Sequence, residues 1–142
     1  LSGPLLDRID LHIVLPPVDI THLQGVERGE PSFAVRARVC AAREIQLARA
    51  GAEVRSAVNA ALSPREVERV ARPDAEGARL LGAAVERLGL SARAYGKVLR
   101  VARTIADLDG STAVHAIHLS EAIQARLLDR GMMPEPSALP AR

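Results

Sequence analysis

The sequence predicts a mainly α-helical protein: a bundle of four to five helices preceded by a short segment with one strand. Apolar residues make up 48% of the 142 residues but aromatic residues only 1%, so Ala, Leu, Val and Ile must build the core. Alanine-rich packing suits closely spaced helices. After residue 31, apolar residues recur at helical spacing, with Ser or Asp before several stretches and Gly after them.

The chain opens with a predicted strand at residues 10–15, where Leu11, Ile13 and Leu15 alternate with residues on the opposite face. Two consecutive prolines end it. Residues 19–31 are polar and include two glycines, which is typical of a loop or linker.

The first helix is predicted from Ser32, as its cap, to about residue 50, because Gly51 would stop it. We expect Cys40 to be a small buried apolar residue rather than a nucleophile. The inward face is predicted to contain Val35, Val39, Ala42 and Ile45 or Gln46, and the basic outer face Arg36, Arg38, Arg43 and Arg49.

A short helix or turn is expected within residues 52–62. Ser63-Pro64-Arg65-Glu66 then has the pattern of a capping box with proline in the first helical position, and this helix should end near residue 71. Asp74 is predicted to open the next helix and Gly89 to close it. Its predicted inward residues are Ala75, Leu80, Leu81, Ala84, Val85 and Leu88.

The most regular helix follows Ser91 and should reach about residue 108. Its apolar half is predicted to hold Ala92, Tyr95, Val98, Leu99, Val101, Ala102, Ile105 and Ala106. A narrow stripe opposite contains Arg93, Lys97, Arg100 and Thr104. The last helix is predicted over residues 118–130, with Leu119, Ala122, Ile123, Arg126 and Leu127 along its buried edge.

The composition excludes several classes of protein. The net charge of +2 includes no basic or acidic arm, so bulk charge does not argue for nucleic-acid binding. A single cysteine excludes an internal disulfide and fits a reducing cytoplasm. No apolar run approaches the roughly 18 residues of a membrane span, so we expect a cytoplasmic protein without membrane partners. The chain lacks an initiator Met and a lead-in, which suggests a piece excised from something longer.

The chemistry that the sequence lacks is equally informative. It has no glycine-rich loop with Lys and Ser or Thr to hold phosphates, no strand ending in paired acids and no Ser-His-Asp pattern. We therefore do not expect this chain to be catalytic alone. His115, His118 and Glu121 are spaced three apart, but a zinc site needs further rigid ligands, so we interpret them as a solvated helix start and predict no metal site.

The basic stripe has three interpretations: a solvated face, a nucleic-acid contact or a phosphate-facing surface. Arg93 favours phosphate, because it lies in the first turn after Ser91, where free backbone N–H groups attract an anion.

Two motifs resemble a known family. Residues 2–11, Ser-Gly-Pro-Leu-Leu-Asp-Arg-Ile-Asp-Leu, resemble the end of an AAA+ core, where such an arginine is the arginine finger. Leu90-Ser91-Ala92-Arg93-Ala94-Tyr95, followed by Val-Ala-Arg-Thr-Ile-Ala-Asp-Leu at 101–108, resembles the sensor-2 helix of the magnesium-chelatase I-subunit family. The similarity is greatest to its competence-type, YifB-like branch and extends from residue 2 to residue 126.

The resemblance implies a hexameric AAA+ ring ATPase. Arg8 would be the arginine finger, acting in trans on a neighbouring subunit's ATP. Arg93 would be the sensor-2 residue that contacts its own subunit's nucleotide, and Lys97 is a further nucleotide-binding candidate. Residues 1–18 would be the edge of the AAA+ core, 19–31 a linker, 32–131 the helical lid and 132–142 a flexible tail.

ATP and Mg²⁺ are the implied cofactors of the full-length protein, and this chain alone should bind neither. The implied partners are neighbouring subunits of a homo-oligomeric ring, with DNA as a candidate substrate. The alternatives are an autonomous basic helical module that binds DNA, or the lid of a true metal-chelatase motor subunit. With its sheet missing, we expect the segment 1–18 to be displaced, paired with another copy or poorly ordered.

Overall fold

The computed structural model describes residues 8–13, 15, 17, 29–51 and 56–126. It contains five α-helices and one turn of 3₁₀-helix within that part of the chain, which confirms the mainly α-helical fold class. In chain order they are α1, Ser32–Arg49; the 3₁₀ turn, Asn59–Ala61; α2, Pro64–Val70; α3, Ala75–Leu88; α4, Ala92–Leu108; and α5, Ala116–Gln124.

Helices α2, α3 and α4 begin at the predicted capping residues. The N–H of Ser63 donates to Glu66 Oε2 over 2.7 Å, and Ser63 Oγ accepts from the Glu66 N–H, so the capping box is formed. Asp74 and Ser91 each accept from the backbone N–H three residues later, at 2.7 and 3.1 Å. Gly89 ends α3 with φ 51°, a left-handed conformation that glycine adopts easily.

Helix α4 is the centre of the bundle. It packs against α1, the 3₁₀ turn, α2 and α5, and α5 also packs against α3. Aliphatic side chains and alanines fill the space between them, as the lack of aromatic residues predicts. The buried core consists of Leu62, Val67, Ala71, Leu81, Val98, Leu99, Ala102, Ala106, Val114, Leu119 and Ala122.

Helix α1 differs from its prediction in two ways. Its cap is Pro31, whose carbonyl accepts from the N–H groups of residues 34 and 35, so Ser32 is already inside the helix. Only Ala42 and Gln46 are buried on it, because α4 covers one narrow face. Val35 and Val39 are 39% and 46% exposed, and the predicted burial of Cys40 is wrong, because this side chain lies on the uncovered side.

The other helices also hold a few exposed residues on faces that we predicted to be buried. Ala75, Leu80, Ala92 and Tyr95 are exposed, because they lie at helix starts or at the margins of the covered faces.

The two ends of the chain differ more from their predictions than the central helices do. Helix α5 begins at Ala116, two residues before its predicted start. It ends at Gln124, with Ala125 as its C-cap, so the predicted end at residue 130 is wrong. The chain tightens into a turn there, in which the Arg126 N–H donates to the Ile123 carbonyl. The tail, residues 52–55 and most of the linker lie outside the described residues. No strand occurs among the described residues of the predicted strand 10–15, and Pro73 and Val114 form an isolated parallel bridge. Among the described helices, none is long and apolar enough to cross a membrane.

Candidate functional site

An open cleft of about 770 Å³ lies beside the first half of α4, between that helix and residues of α2 and α3. Its floor is apolar, and its basic side chains come from the predicted stripe on α4. The lining residues include Val67, Val85, Leu90, Arg93, Lys97 and Arg100. The structure therefore places all three basic stripe residues at one concave surface.

Arg93 lies at the mouth of this cleft, exposed, in the first turn of α4. Ser91 caps the helix and fixes the direction of that turn through the N–H of Ala94. Among the described residues, Arg93 makes no hydrogen bond or ion pair. Its guanidinium is thus free to bind an anion beside the positive end of the helix.

Lys97 lies one turn further along α4 and is already engaged. Its Nζ donates to the carbonyl oxygen of Arg8 over 2.6 Å and pairs with Asp10 Oδ1 at 2.7 Å. Only 11% of the Lys97 side chain is exposed. The ammonium group is therefore directed to the first segment of the chain rather than into open solvent.

Arg100 is engaged on the other side of the cleft. Its Nη2 and Nε donate to the carbonyl oxygen of Leu62, at 2.9 and 3.3 Å, and this contact ties α4 to the start of α2. Thr104 donates its hydroxyl proton to the Arg100 carbonyl. Of the three basic residues at the cleft, only Arg93 presents a cation without a partner in the described structure.

Arg8 is exposed, and its backbone lies against Lys97. The following residues also contact the bundle: Arg126 Nη1 donates to the carbonyls of Ile9 and Asp10, and the His12 N–H donates to the Ala125 carbonyl over 2.7 Å. The expectation of poor order is therefore wrong for residues 8–12, because these contacts hold them on the helices. Residues 1–7 lie outside the described part.

A buried polar network at the other end of α4 was not predicted. Asp107 is 1% exposed and accepts from Arg103 Nε over 3.0 Å and from Asn59 Nδ2 over 2.8 Å. Arg49 of α1 also pairs with this carboxylate. The sequence signal was an Arg and an Asp four residues apart at the border of the apolar half of α4.

Arg103 connects this network to the loop before α5. It is 1% exposed and donates to the carbonyl oxygens of Ser111 and Thr112 in the loop before α5. Burial lowers the pKa of the Arg103 guanidinium, and the adjacent Asp107 carboxylate opposes that shift. The pair joins three parts of the bundle and faces away from solvent, which indicates a structural role.

The histidines at the start of α5 have local partners. His118 Nδ1 accepts from the His115 N–H over 3.0 Å, and His118 Nε2 lies 3.2 Å from Asp109. His118 is buried, so our interpretation as a solvated helix start is wrong for it. The described residues contain no group of three or more His, Cys, Asp or Glu side chains placed to hold a metal ion.

His115 in turn pairs with Asp74 at the start of α3, with Nδ1 2.8 Å from Asp74 Oδ2. The hydrogen bond from the Gly77 N–H and the contact with His115 lower the pKa of the Asp74 carboxyl. This polar group therefore links the starts of α3 and α5.

Comparison with known proteins identifies a family and several similar proteins. Residues 29–126 match the family described as magnesium chelatase, subunit ChlI C-terminal. The competence protein ComM of Haemophilus influenzae is 44% identical over 131 residues, which are 92% of this chain and 25% of that protein. The uncharacterized protein YifB of Escherichia coli is 43% identical over 132 residues, again 92% and 25%.

A more distant relative is an uncharacterized protein of Mycobacterium tuberculosis, 34% identical over 126 residues, which are 89% of this chain and 25% of that protein. The chain spans about a quarter of the length of the relatives it matches.

Proposed function

The chain belongs to the family of magnesium-chelatase ChlI C-terminal domains, and from this we propose that it is the helical lid of an AAA+ ATPase. The observation that carries the proposal is Arg93: an exposed arginine in the first turn of α4, without a partner among the described residues, at the mouth of an open cleft. In this proposal Arg93 is the sensor-2 residue. Its planar, permanently charged guanidinium would bind phosphate oxygens of the nucleotide held by its own subunit.

We assign the arginine-finger role to Arg8. Its side chain is exposed, so in this proposal it is available to a neighbouring subunit of a ring. An arginine at the transferred phosphoryl group stabilises charge in the transition state, a contribution of roughly 10³ to 10⁵ in rate for GTPase fingers. Neighbouring copies in a hexameric ring are thus the proposed partners.

ATP and Mg²⁺ are the proposed cofactors of the longer protein. The donor set here fits only part of such a site: Arg93 can bind phosphate, whereas the described residues offer no cluster of acids for a metal. Bound Mg-ATP would supply the phosphoryl group and its energy. This chain's own residues would orient the nucleotide and respond to it.

We favour remodelling of DNA over metal insertion into porphyrin as the activity of the longer protein. One relative is named a competence protein, and the similarity to it covers 92% of this chain. Its site of action would be the cytoplasm. Stimulation of ATP hydrolysis by DNA, but not by a porphyrin with Mg²⁺, is the outcome that supports this choice.

The first test uses Arg93→Ala in the longer protein, with Arg79→Ala on the exposed face of α3 as the matched control. We expect Arg93→Ala to abolish ATP turnover and to leave DNA affinity unchanged, whereas Arg79→Ala keeps both. Turnover is measured as phosphate release, and DNA affinity by fluorescence anisotropy. Normal turnover by Arg93→Ala would refute the sensor-2 assignment.

The alternative, an autonomous DNA-binding module, predicts a different result. It requires salt-dependent DNA binding by this chain alone that is lost when Arg93, Lys97 and Arg100 are neutralised together. The structure weakens this alternative, because Lys97 and Arg100 already contact Asp10 and Leu62. Arg38 and Arg49 on α1 likewise pair with Glu30 and Asp107.

A further inference from the structure

The segment that carries Arg8 is attached to the bundle at several points. Lys97 of α4 contacts the Arg8 carbonyl and the Asp10 carboxylate, at 2.6 and 2.7 Å. Beyond α5, Arg126 donates to the carbonyls of Ile9 and Asp10, at 2.8 and 3.2 Å. Residues 8–10 are thus held by two cations of the helical domain, and the His12 N–H binds the Ala125 carbonyl.

The cations in these contacts are largely buried, whereas the Asp10 side chain is 61% exposed. The side chain of Lys97 is 11% exposed, Arg126 is 3% exposed and His12 is 9% exposed. Hydrogen bonds from charged donors are stronger than neutral ones, and breaking a buried one leaves an unsatisfied cation. The segment 8–12 should therefore move with the helices.

We propose that Lys97 and Arg126 are positioning residues for Arg8. The inference rests on the proposed function, in which Arg8 serves a neighbouring subunit and Arg93 its own. Lys97 lies one helical turn from Arg93 on α4, and it holds the backbone of Arg8. The finger and the sensor are then parts of one rigid unit.

This arrangement gives Lys97 a role different from nucleotide binding. When Arg93 responds to the nucleotide of its own subunit, α4 moves, and Lys97 moves Arg8 with it. The occupancy of one ATP site thereby sets the position of the finger in the next site. Lys97 acts on the neighbouring site through Arg8, without touching nucleotide.

Rings of two kinds of subunit separate the two roles. An Arg8→Ala subunit keeps its own site but lacks a finger, whereas an Arg93→Ala subunit has a defective site and keeps its finger. Lys97→Met preserves the aliphatic stem and removes the ammonium group. We expect it to lower ATP turnover in uniform rings by about 10²-fold, the cost of misplacing a catalytic group by about 1 Å.

In co-expressed mixed rings, Lys97→Met subunits should regain turnover with Arg93→Ala subunits, because those supply intact fingers to intact sites. They should regain none with Arg8→Ala subunits. The affinity of Lys97→Met for an ATP analogue should equal that of the unchanged protein. Arg79→Met, exposed on α3, is the control and should keep full turnover.

The opposite pattern, recovery with Arg8→Ala and weaker binding of the analogue, would assign Lys97 to its own subunit's nucleotide and overturn the proposal. Recovery with neither partner would also overturn it, because it indicates general damage. Asp10→Asn, a mild change at an exposed partner of Lys97, provides a second variant that should follow the Lys97→Met pattern more weakly.

Failure of the proposed function gives a separate result. If Arg8→Ala and Arg93→Ala subunits do not restore each other's turnover in mixed rings, the assignment of finger and sensor is wrong, whatever Lys97→Met does.

Discussion

Asp107 illustrates how this bundle uses charge at the level of single residues. Its carboxylate is buried, yet it accepts hydrogen bonds from Arg103, Asn59 and Arg49, so every part of it is satisfied. Two arginines of different elements share this single negative charge. The network fixes the angle between α1 and α4, because a shift of either helix would leave a buried charge without a partner.

We expect Asp107→Asn to destabilise the fold by about 3–5 kcal/mol, the usual cost of removing one partner of a buried ion pair. Two guanidinium groups would then lack their counter-charge. Urea denaturation followed by circular dichroism measures the effect. The control is Glu86→Gln on the exposed face of α3, for which we expect no measurable change. Equal stability of the two variants would show that the Asp107 network contributes little.

The sequence could predict part of this residue-level picture. Arg93 was identified as a site candidate from local signals alone, a cap and a first-turn position. The partners of Lys97 could not be predicted, because the contact with Arg8 spans 89 residues of sequence. Contacts at such separation depend on how the first segment folds back onto the bundle.

At the scale of elements, the two glycines of α3 differ in whether helix packing requires them. A Cβ on Gly77 would lie 2.6 Å from Leu119 Cδ1 and 3.0 Å from Asp74 Oδ1, so this position permits close contact between α3 and α5. A Cβ on Gly82 would have no heavy atom within 4 Å. Packing within the described bundle therefore does not require a glycine at position 82.

The pair Gly77→Ala and Gly82→Ala tests this difference within one helix. We expect Gly77→Ala to cost about 1–3 kcal/mol through overpacking against the fully buried Leu119. Gly82→Ala should stabilise by about 0.5–1 kcal/mol, because alanine favours helix. Thermal and urea unfolding measure both. A stabilising Gly77→Ala would mean that Leu119 can move aside without cost.

Three helix starts were predicted correctly from local signals. Ser63, Asp74 and Ser91 cap helices as expected, because a capping side chain binds backbone only three residues away. The faces of α1 were predicted poorly. Its apolar residues repeat at helical spacing, but only Ala42 and Gln46 are buried, and no local pattern reveals how far a neighbouring helix extends.

At the scale of the whole molecule, the bundle supplies one side of the proposed nucleotide site. Arg93 can contact phosphate, but the sequence contains no glycine-rich loop to hold the triphosphate. Titration of fluorescent ATP into this chain alone should therefore show no saturable binding. Anisotropy measures it, and the longer protein is the positive control. Sub-micromolar affinity of the isolated chain would contradict the proposal that the bundle supplies only one side of the nucleotide site.

The run of residues 101–107 carries the most specific resemblance to the family, and its polar members face inward. Arg103 and Asp107 satisfy each other and the loop before α5, and neither reaches the cleft. A descendant that lost ATP hydrolysis would still need this run to fold. The run is therefore part of the scaffold, and a search for relatives with the proposed ATPase activity should be filtered by the proposed finger and sensor, Arg8 and Arg93, instead.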